Sequence, residues 1–337
     1  MEHLPCHVLT TILKKAGHDV RTTCFLVSKS MYAVASHPAV WDTIHITTPS
    51  QSGVEFIRRP GMMLREVWMA PCSVAQVMWM MNAIIPLPHL TKLSMVPVGD
   101  PIPASFLAPL TGCPRLETLI VSFDEGRPFY PRLGEMVEVP SLPSLKHLTI
   151  RQPNPTISYR FGSHVYENLE TVSIDVRRCD VLNTPLPRLR HLHIHSSKET
   201  FRHITLAPGG SLDTVELDIH SKVRTSRLIR QLQAQHHIGL LTLHCSAEFE
   251  FSVPLPRVHH VRLLVSLPAT VVDIDYSALS ASWNIHQLDI TEDEEQMYGL
   301  TTARISEAPC VQTGLQLIEQ KNVRFGRSVM VEVCPVL

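Results

Sequence analysis

The chain has 337 residues, 44% hydrophobic and 18% charged, with a formal net charge of −1, so it can bury a sizeable core and makes no electrostatic case for binding nucleic acid or a membrane surface. Residues 1–3 start no basic, apolar leader, and the longest apolar stretch, Val77 to Leu87, contains Asn82 and is too short to span a bilayer. The eight cysteines include no Cys-x-x-Cys pair, which reads as free thiols of a reducing compartment, cytoplasmic or nuclear, and no nucleotide-binding, esterase or metalloprotease motif points to an enzyme, a cofactor or a metal.

Residues 3–46 predict three short helices. Leu4-Pro5 puts proline at a helix start, and Val8, Leu9, Ile12 and Leu13 form the apolar stripe behind it. Asp19 can cap a second helix with Val20, Thr23, Cys24 and Val27 on one face, and a third runs from about Lys29 to Ser36. Three helices in about forty residues bury little surface, so this block is expected to lean on a neighbour.

Residues 47–291 carry an internal period. Leu-x-x-Leu-x-Leu units begin at Leu64, Leu90, Leu116, Leu145, Leu169, Leu189, Leu212, Ile238, Val258 and Ile285, at intervals of 20 to 29 residues. In Leu145-Lys146-His147-Leu148-Thr149-Ile150, the last two apolar residues share one face of a strand and His147, Thr149 and Arg151 the other. One such strand cannot bury its apolar face alone, so ten are expected to stack in one parallel sheet. Leu93, Leu119, Leu148, Val172, Leu192, Val215, Leu241, Val261 and Leu288 are its expected inward stripe. The opposite face takes His147, Arg151, Asp175, His191, His193, His195, Glu216, Asp218, His244, His260 and Arg262. Histidines two apart on a flat strand converge poorly, so no metal site is expected at His191 and His193.

The connections are partly legible. Ser73-Val74-Ala75-Gln76 has capping-box form, and Val74, Val77, Met78 and Met81 follow at helical spacing, which predicts a helix over 74–85. A second is expected from Thr225 to Gln235. The stretches 97–109 and 127–143 are expected to run extended or as 3₁₀ turns. Prolines at 88, 114, 143, 187 and 256 precede repeat units, where a residue without an amide proton can lead into a strand. Residues 292–337 lose the period, and a helix from Val311 to Lys321 and a strand from Ser328 to Val333 are expected to cap the array.

The repeats resemble leucine-rich repeats in a degenerate form, since neither Asn nor Cys stands at the turn positions where that family usually has one. The N-terminal block resembles the F-box: Leu4-Pro5, Val8-Leu9, Ile12-Leu13, Leu26-Val27-Ser28-Lys29, Tyr32 and Trp41 follow that motif's order and spacing. Cys6-His7 depart from its common Asp-Glu, and Met31 from its Trp or Phe. The resemblance implies an α/β leucine-rich-repeat solenoid of irregular repeats preceded by a three-helix F-box. Leu4, Pro5, Val8, Leu9, Ile12, Leu13, Leu26, Val27, Lys29 and Trp41 would then dock on a Skp-type adaptor, and through it a cullin. The repeat arc, ten strands at ~4.8 Å or about 45 Å long, would hold a protein substrate for ubiquitination on His147, Arg151, His191, His193, His195, Glu216, Asp218, His244 and Arg262. A repeat scaffold that binds a partner with no ubiquitin-ligase role is the alternative, and adaptor binding separates the two.

Overall fold

A computed structural model describes residues 4–16, 18–37, 40–58, 63–84, 87–99, 102–123, 136–151, 158–161, 166–175, 178–179, 186–195, 210–219, 232–245, 249–252, 254–265, 271–282, 284–292, 301–325 and 329–335. The fold is α/β. Its principal sheet has twelve parallel strands whose order in the sheet is their order in the chain. The chain divides into two compact units, residues 1–156 with 160–164 and residues 157–159 with 165–337.

The first unit opens with helices α1 (Cys6–Lys15), α2 (His18–Val27) and α3 (Lys29–Ala35). Pro5 is the N-cap of α1, and Ser28 caps α3 by accepting from the Met31 amide. Leu9, Leu13, Cys24, Val34 and Ala35 fill the space between the helices, and the Phe25 ring stacks on that of Trp41 at 6.0 Å. The principal strands of this unit are β1 (Thr43–Ile46), β2 (Glu66–Met69), β4 (Lys92–Met95), β6 (Thr118–Ser122) and β8 (His147–Arg151). Between them lie α4 (Gln51–Ile57), β3 (Cys72–Ser73), α5 (Val74–Ile84), β5 (Pro97–Val98), a 3₁₀ helix at Ala108–Gly112 and β7 (Met136–Val139). The capping box of α5 forms in both directions: the Ser73 amide donates to Gln76 Oε1 at 3.0 Å and the Gln76 amide to Ser73 Oγ at 3.3 Å. Its buried stripe is Val74, Val77, Met80 and Met81, with Met78 half-buried instead of inside.

The second unit holds principal strands β10 (Thr171–Asp175), β12 (His191–His195), β13 (Ser211–Ile219), β14 (His237–Cys245), β16 (Val258–Val265), β18 (Gln287–Glu292) and β20 (Val323–Phe325). The strands β15 (Phe249–Phe251), β17 (Val271–Asp275), β19 (Thr301–Ala308) and β21 (Val329–Pro335) form a second parallel sheet on their connections. The strand β9 (Ser158–Phe161) pairs with β11 (Arg178–Cys179). Helices Tyr276–Ser280 and Val311–Gln320 complete the unit. The expected closing helix and strand are therefore present, although the strand joins the second sheet. Most of the expected helix at 225–235, like the side chain of His195, lies outside the described residues.

One local device recurs through the chain. At several anchors the residue three before accepts a hydrogen bond from the anchor's amide, at Leu87/Leu90, Cys113/Leu116, Leu142/Leu145, Tyr166/Leu169, Leu186/Leu189 and Leu255/Val258, with distances of 3.1–3.4 Å. These are β-turns, and Pro88, Pro114, Pro143, Pro187 and Pro256 stand at their second position, where proline's fixed φ is already correct. The prolines thus build the turn before the strand, a sharper role than leading into it. Just past the anchor, a single carbonyl receives two amides of the next coil. Asp42 receives Arg65 and Glu66; Arg65 receives Thr91 and Lys92; Thr91 receives Glu117 and Thr118; Glu170 receives Arg190 and His191. At this position in a later coil stands Gly239, where a Cβ would come within 2.7 Å of the Asp213 carbonyl oxygen. A side chain there would push the backbones of neighbouring coils apart.

The sheet has two strands more than the ten expected. In the first, Trp41-Asp42-Thr43-Ile44-His45-Ile46 is itself a repeat unit with tryptophan in the leucine position: Ile44 pairs with Val67 and the Asp42 carbonyl receives the next coil's amides. In the last, β20 aligns Val323 with Leu288, but its anchor position falls on Gln320, the polar end of a helix, which hides the unit from a search for leucine. The stripe expected from the sequence is continuous within each unit. Val67, Leu93, Leu119 and Leu148 pair in register, as do Val172, Leu192, Val215, Leu241, Val261 and Leu288, and all are at most 2% exposed. Two residues on, Met95, Val121 and Ile150 make a second buried row in the first unit, and Ile174, Ile194, Leu217, Leu243, Leu263 and Ile290 in the second.

Candidate functional site

Two surfaces collect side chains that the core does not explain. The first is the helical block. Of the residues expected to bind an adaptor, Leu9, Leu13 and Trp41 are inside, at 4%, 3% and 2% exposure. The Trp41 indole donates to the Ala35 carbonyl at 2.6 Å. Leu4, Ile12, Leu26 and Val27 face solvent, with Val20 and Tyr32 beside them on the same three helices; Leu26 is 88% and Val27 64% exposed. Pro5 and Lys29 are exposed and Val8 is half-buried. Leu26 and Val27 end α2, where no neighbouring element among the described residues covers them.

The block has a polar keystone that the sequence reading did not single out. Arg21, 7% exposed, donates through Nε to the Leu13 and Ala16 carbonyls at 2.9 Å and through Nη2 to that of Lys14. The Leu13 carbonyl also receives the Ala16 amide at 3.1 Å, while those of Lys14 and Ala16 stand at the end of α1, where helix carbonyls lack intrahelical donors. Its Nη1 lies 3.3 Å from Asp42 Oδ1, and its guanidinium sits 6.0 Å from the Trp41 ring centroid. One side chain therefore closes α1 and ties it to the residue that begins the sheet.

The second surface is the polar face of the principal sheet in the second unit. Strand alternation places Ser173, His193, Glu216, Thr242, Arg262, Asp289 and Arg324 in one row across neighbouring strands. His193 Nδ1 lies 2.7 Å from Glu216 Oε2, and His244 Nε2 2.8 Å from Glu216 Oε1, so one carboxylate joins two imidazoles from the strands on either side. His260 Nε2 lies 2.7 Å from Asp289 Oδ2, and Gln287 Nε2 donates to both Asp289 oxygens at 3.0 Å. His191 Nδ1 meets Thr214 Oγ1 at 2.9 Å. Burial pushes the Asp289 carboxyl up, but the hydrogen bonds from Gln287 and His260 and the charges of His260 and Arg262 outweigh it, and its pKa lies below the usual value. The structure thus brings together His191, His193, Glu216 and His244 of the expected set, places Asp218 on the strand of Glu216 and Arg262 on β16, and adds Thr214, Gln287 and Asp289. Asp289 follows Leu288 in the same alternation that exposed the others, so the signal was present.

In the first unit the expected His147 and Arg151 stand on β8, half-buried and exposed. The more ordered group there is on β1, β2 and β4: the His45 and Trp68 rings stack at 5.9 Å, the Lys92 ammonium sits 4.4 Å from the Trp68 ring centroid, and Glu66 lies 3.9 Å from Lys92. Among the described residues no group of His, Cys, Asp or Glu is arranged to hold a metal ion, and no helix is long and apolar enough to cross a membrane. No family model matches the chain, and no curated protein gives a significant match to it.

Proposed function

We propose that this chain is an F-box/leucine-rich-repeat receptor: its helical block docks on a Skp-type adaptor of a cullin-based ubiquitin ligase, and its sheet presents a protein substrate. The observation that carries the reading is the way the motif divides. Leu9, Leu13 and Trp41 hold the block together, while Leu4, Ile12, Leu26, Val27 and Tyr32 of the same motif are exposed on it. A cap that served only the sheet would turn such residues inward, because exposed apolar area of this kind is stabilised by a partner. Stacked parallel coils, with turn, anchor and double-acceptor carbonyl recurring, support the repeat half of the reading. Catalysis would belong to the ligase; the receptor supplies proximity, making transfer to a bound substrate effectively intramolecular.

A purified Skp-type adaptor should be retained by the full chain and lost on Leu26→Asp or Val27→Asp. Both positions are exposed, so the charge meets water in the free chain and the fold should be unchanged by circular dichroism. Retention by both variants would remove the adaptor role. The first turn of α1 holds no acidic residue, which favours reduced adaptor affinity, by a few tenths to about 1 kcal/mol, and keeps open the second reading, a repeat scaffold without ligase. That reading predicts no retention by the unmodified chain.

A further inference from the structure

We infer that the outward face of the principal sheet in the first unit takes an acidic protein segment that seats an apolar side chain between Trp68 and Ile120; this rests on the substrate-presenting role proposed above for the sheet. In the second unit the carboxylates of Glu216 and Asp289 are already engaged by histidines of neighbouring strands. The first unit is built differently. Strand alternation puts His45, Trp68, Ser94, Ile120 and Thr149 in one row across neighbouring strands, so an indole and an isoleucine stand on the face turned away from the core. Both are half-buried, and Val67, Leu93, Leu119 and Leu148 fill the core on the other face without them. The Trp68 ring is held in place: the His45 ring stacks on it at 5.9 Å, the Lys92 ammonium sits 4.4 Å from its centroid, and its Nε1 donates to Glu66 Oε2 at 3.4 Å. Ser94 separates Trp68 from Ile120 in the row. With strands ~4.8 Å apart, the backbones carrying these two large side chains lie about 10 Å from each other, and the serine between them leaves a shallow notch with an apolar wall on either side.

The charges select what can lie over this notch. From the anchor of each coil to the end of its principal strand, the charged residues of β1, β2, β4, β6 and β8 are Asp42, Arg65, Glu66, Lys92, Glu117, Lys146 and Arg151. Every carboxylate among them is paired: Asp42 with Arg21 at 3.3 Å, Glu66 with Lys92 at 3.9 Å and Glu117 with Lys146 at 2.9 Å. The exposed residues Arg65 and Arg151 are left over as cations, and any proton taken up by His45 or His147 only adds to that excess. Such a face attracts carboxylates and opposes a basic segment. A guanidinium offers a carboxylate two parallel donors, and tryptophan and arginine are side chains on which protein interfaces concentrate their binding energy. At ~4.8 Å between strands and ~3.3 Å along one, Arg151 on β8 lies about 12 Å from Ser94 on β4, the reach of about four extended residues. The fitting segment therefore has an apolar residue over the notch and an acidic one about four positions away.

The test uses the full chain and three labelled twelve-residue peptides followed by fluorescence anisotropy: one with leucines and glutamates at this spacing, one with lysines in place of the glutamates, and one with serines in place of the leucines. At about pH 7.5 and low salt the Leu/Glu peptide should bind at least about tenfold more tightly than the Leu/Lys peptide and severalfold more tightly than the Ser/Glu peptide. Arg151→Glu should weaken it about tenfold or more. Ile120→Ser should remove the advantage of leucine over serine, with circular dichroism showing each variant folded. His193→Gln, in the second unit, should change nothing. Equal affinity for the acidic and basic peptides overturns the inference, as does binding that neither Arg151→Glu nor Ile120→Ser alters. Equal binding of the Leu/Glu and Ser/Glu peptides, matched by a single-stranded oligonucleotide that competes for Arg151, would make the face a general polyanion site and also overturns it. Adaptor retention is scored on the same preparations. A chain that binds adaptor but no peptide sinks this inference alone, and one that binds the Leu/Glu peptide without adaptor sinks only the ligase role.

Discussion

Arg21 shows how one side chain can decide whether a marginal block folds. Replacing it with Met keeps the aliphatic stem but leaves carbonyls at the end of α1 without their charged donor and Asp42 without its partner. The expected loss is about 3 kcal/mol, read as a lower denaturation midpoint of the helical signal, whereas Arg58→Met at the exposed residue just past α4 should be nearly silent. Asp289 makes the complementary pH prediction. Its folded pKa is depressed, so the folded state binds its proton less readily than the unfolded chain, and the group contributes stability that is complete above the unfolded value of about 4. That contribution is lost as pH falls through the lower folded value. Asp289→Asn should reduce stability at neutral pH and flatten the acid limb of a stability profile measured by urea denaturation below about pH 5; an unchanged limb would mean that His260 and Gln287 do not hold the carboxylate in solution.

At the scale of elements, period-two alternation carries most of the information. Leu148→Ala and Leu192→Ala, each fully buried within its own unit, should cost about 2–5 kcal/mol. Thr149→Ala and His193→Ala, on the polar face one residue further, should cost well under half of that. Equal losses in a chemical-denaturation series would show the register displaced by one, which exchanges the faces of every strand. The capping box of α5 and the closing helix were legible because their signals are local in sequence. The helices Gln51–Ile57 and Tyr276–Ser280 were not expected: at 7 and 5 residues they are too short to show a period. Asp275 does cap the second of these through the Ser277 and Ala278 amides, a local signal that could have been used.

Across the whole molecule, the cysteines report how evenly the structure protects itself. Cys72 and Cys113 are buried in the first unit, and burial pushes both thiols up. Cys310 is exposed at the start of the helix Val311–Gln320, where the hydrogen bonds from the Thr313 side chain and amide lower its pKa. Since the thiolate is the reactive form, iodoacetamide at mildly alkaline pH should modify Cys310 in the folded chain well before Cys72 or Cys113. The latter two should be modified at the rate of opening of the first unit. Fast labelling of Cys113 in native conditions would contradict its burial within the repeat turns.

The sequence by itself determined the repeat, the register and both faces of the sheet, because one strand's pattern of alternation is the same wherever the strand lies in the stack. It also determined the order of the N-terminal motif. Tertiary structure alone decided what each residue of that motif does: Trp41 and Leu26 are both apolar in sequence, yet one anchors the first coil and the other is left in water. It also decided that the outer connections carry parallel strands of their own; β3, β5, β7, β9, β11 and β15 are only two to four residues long, with too few alternations to announce themselves. The network through Glu216 likewise depended on the fold. Residues 193, 216 and 244 share a face by alternation, but which of their side-chain atoms meet is set by side-chain conformation in the packed coils, and sequence spacing holds no record of that.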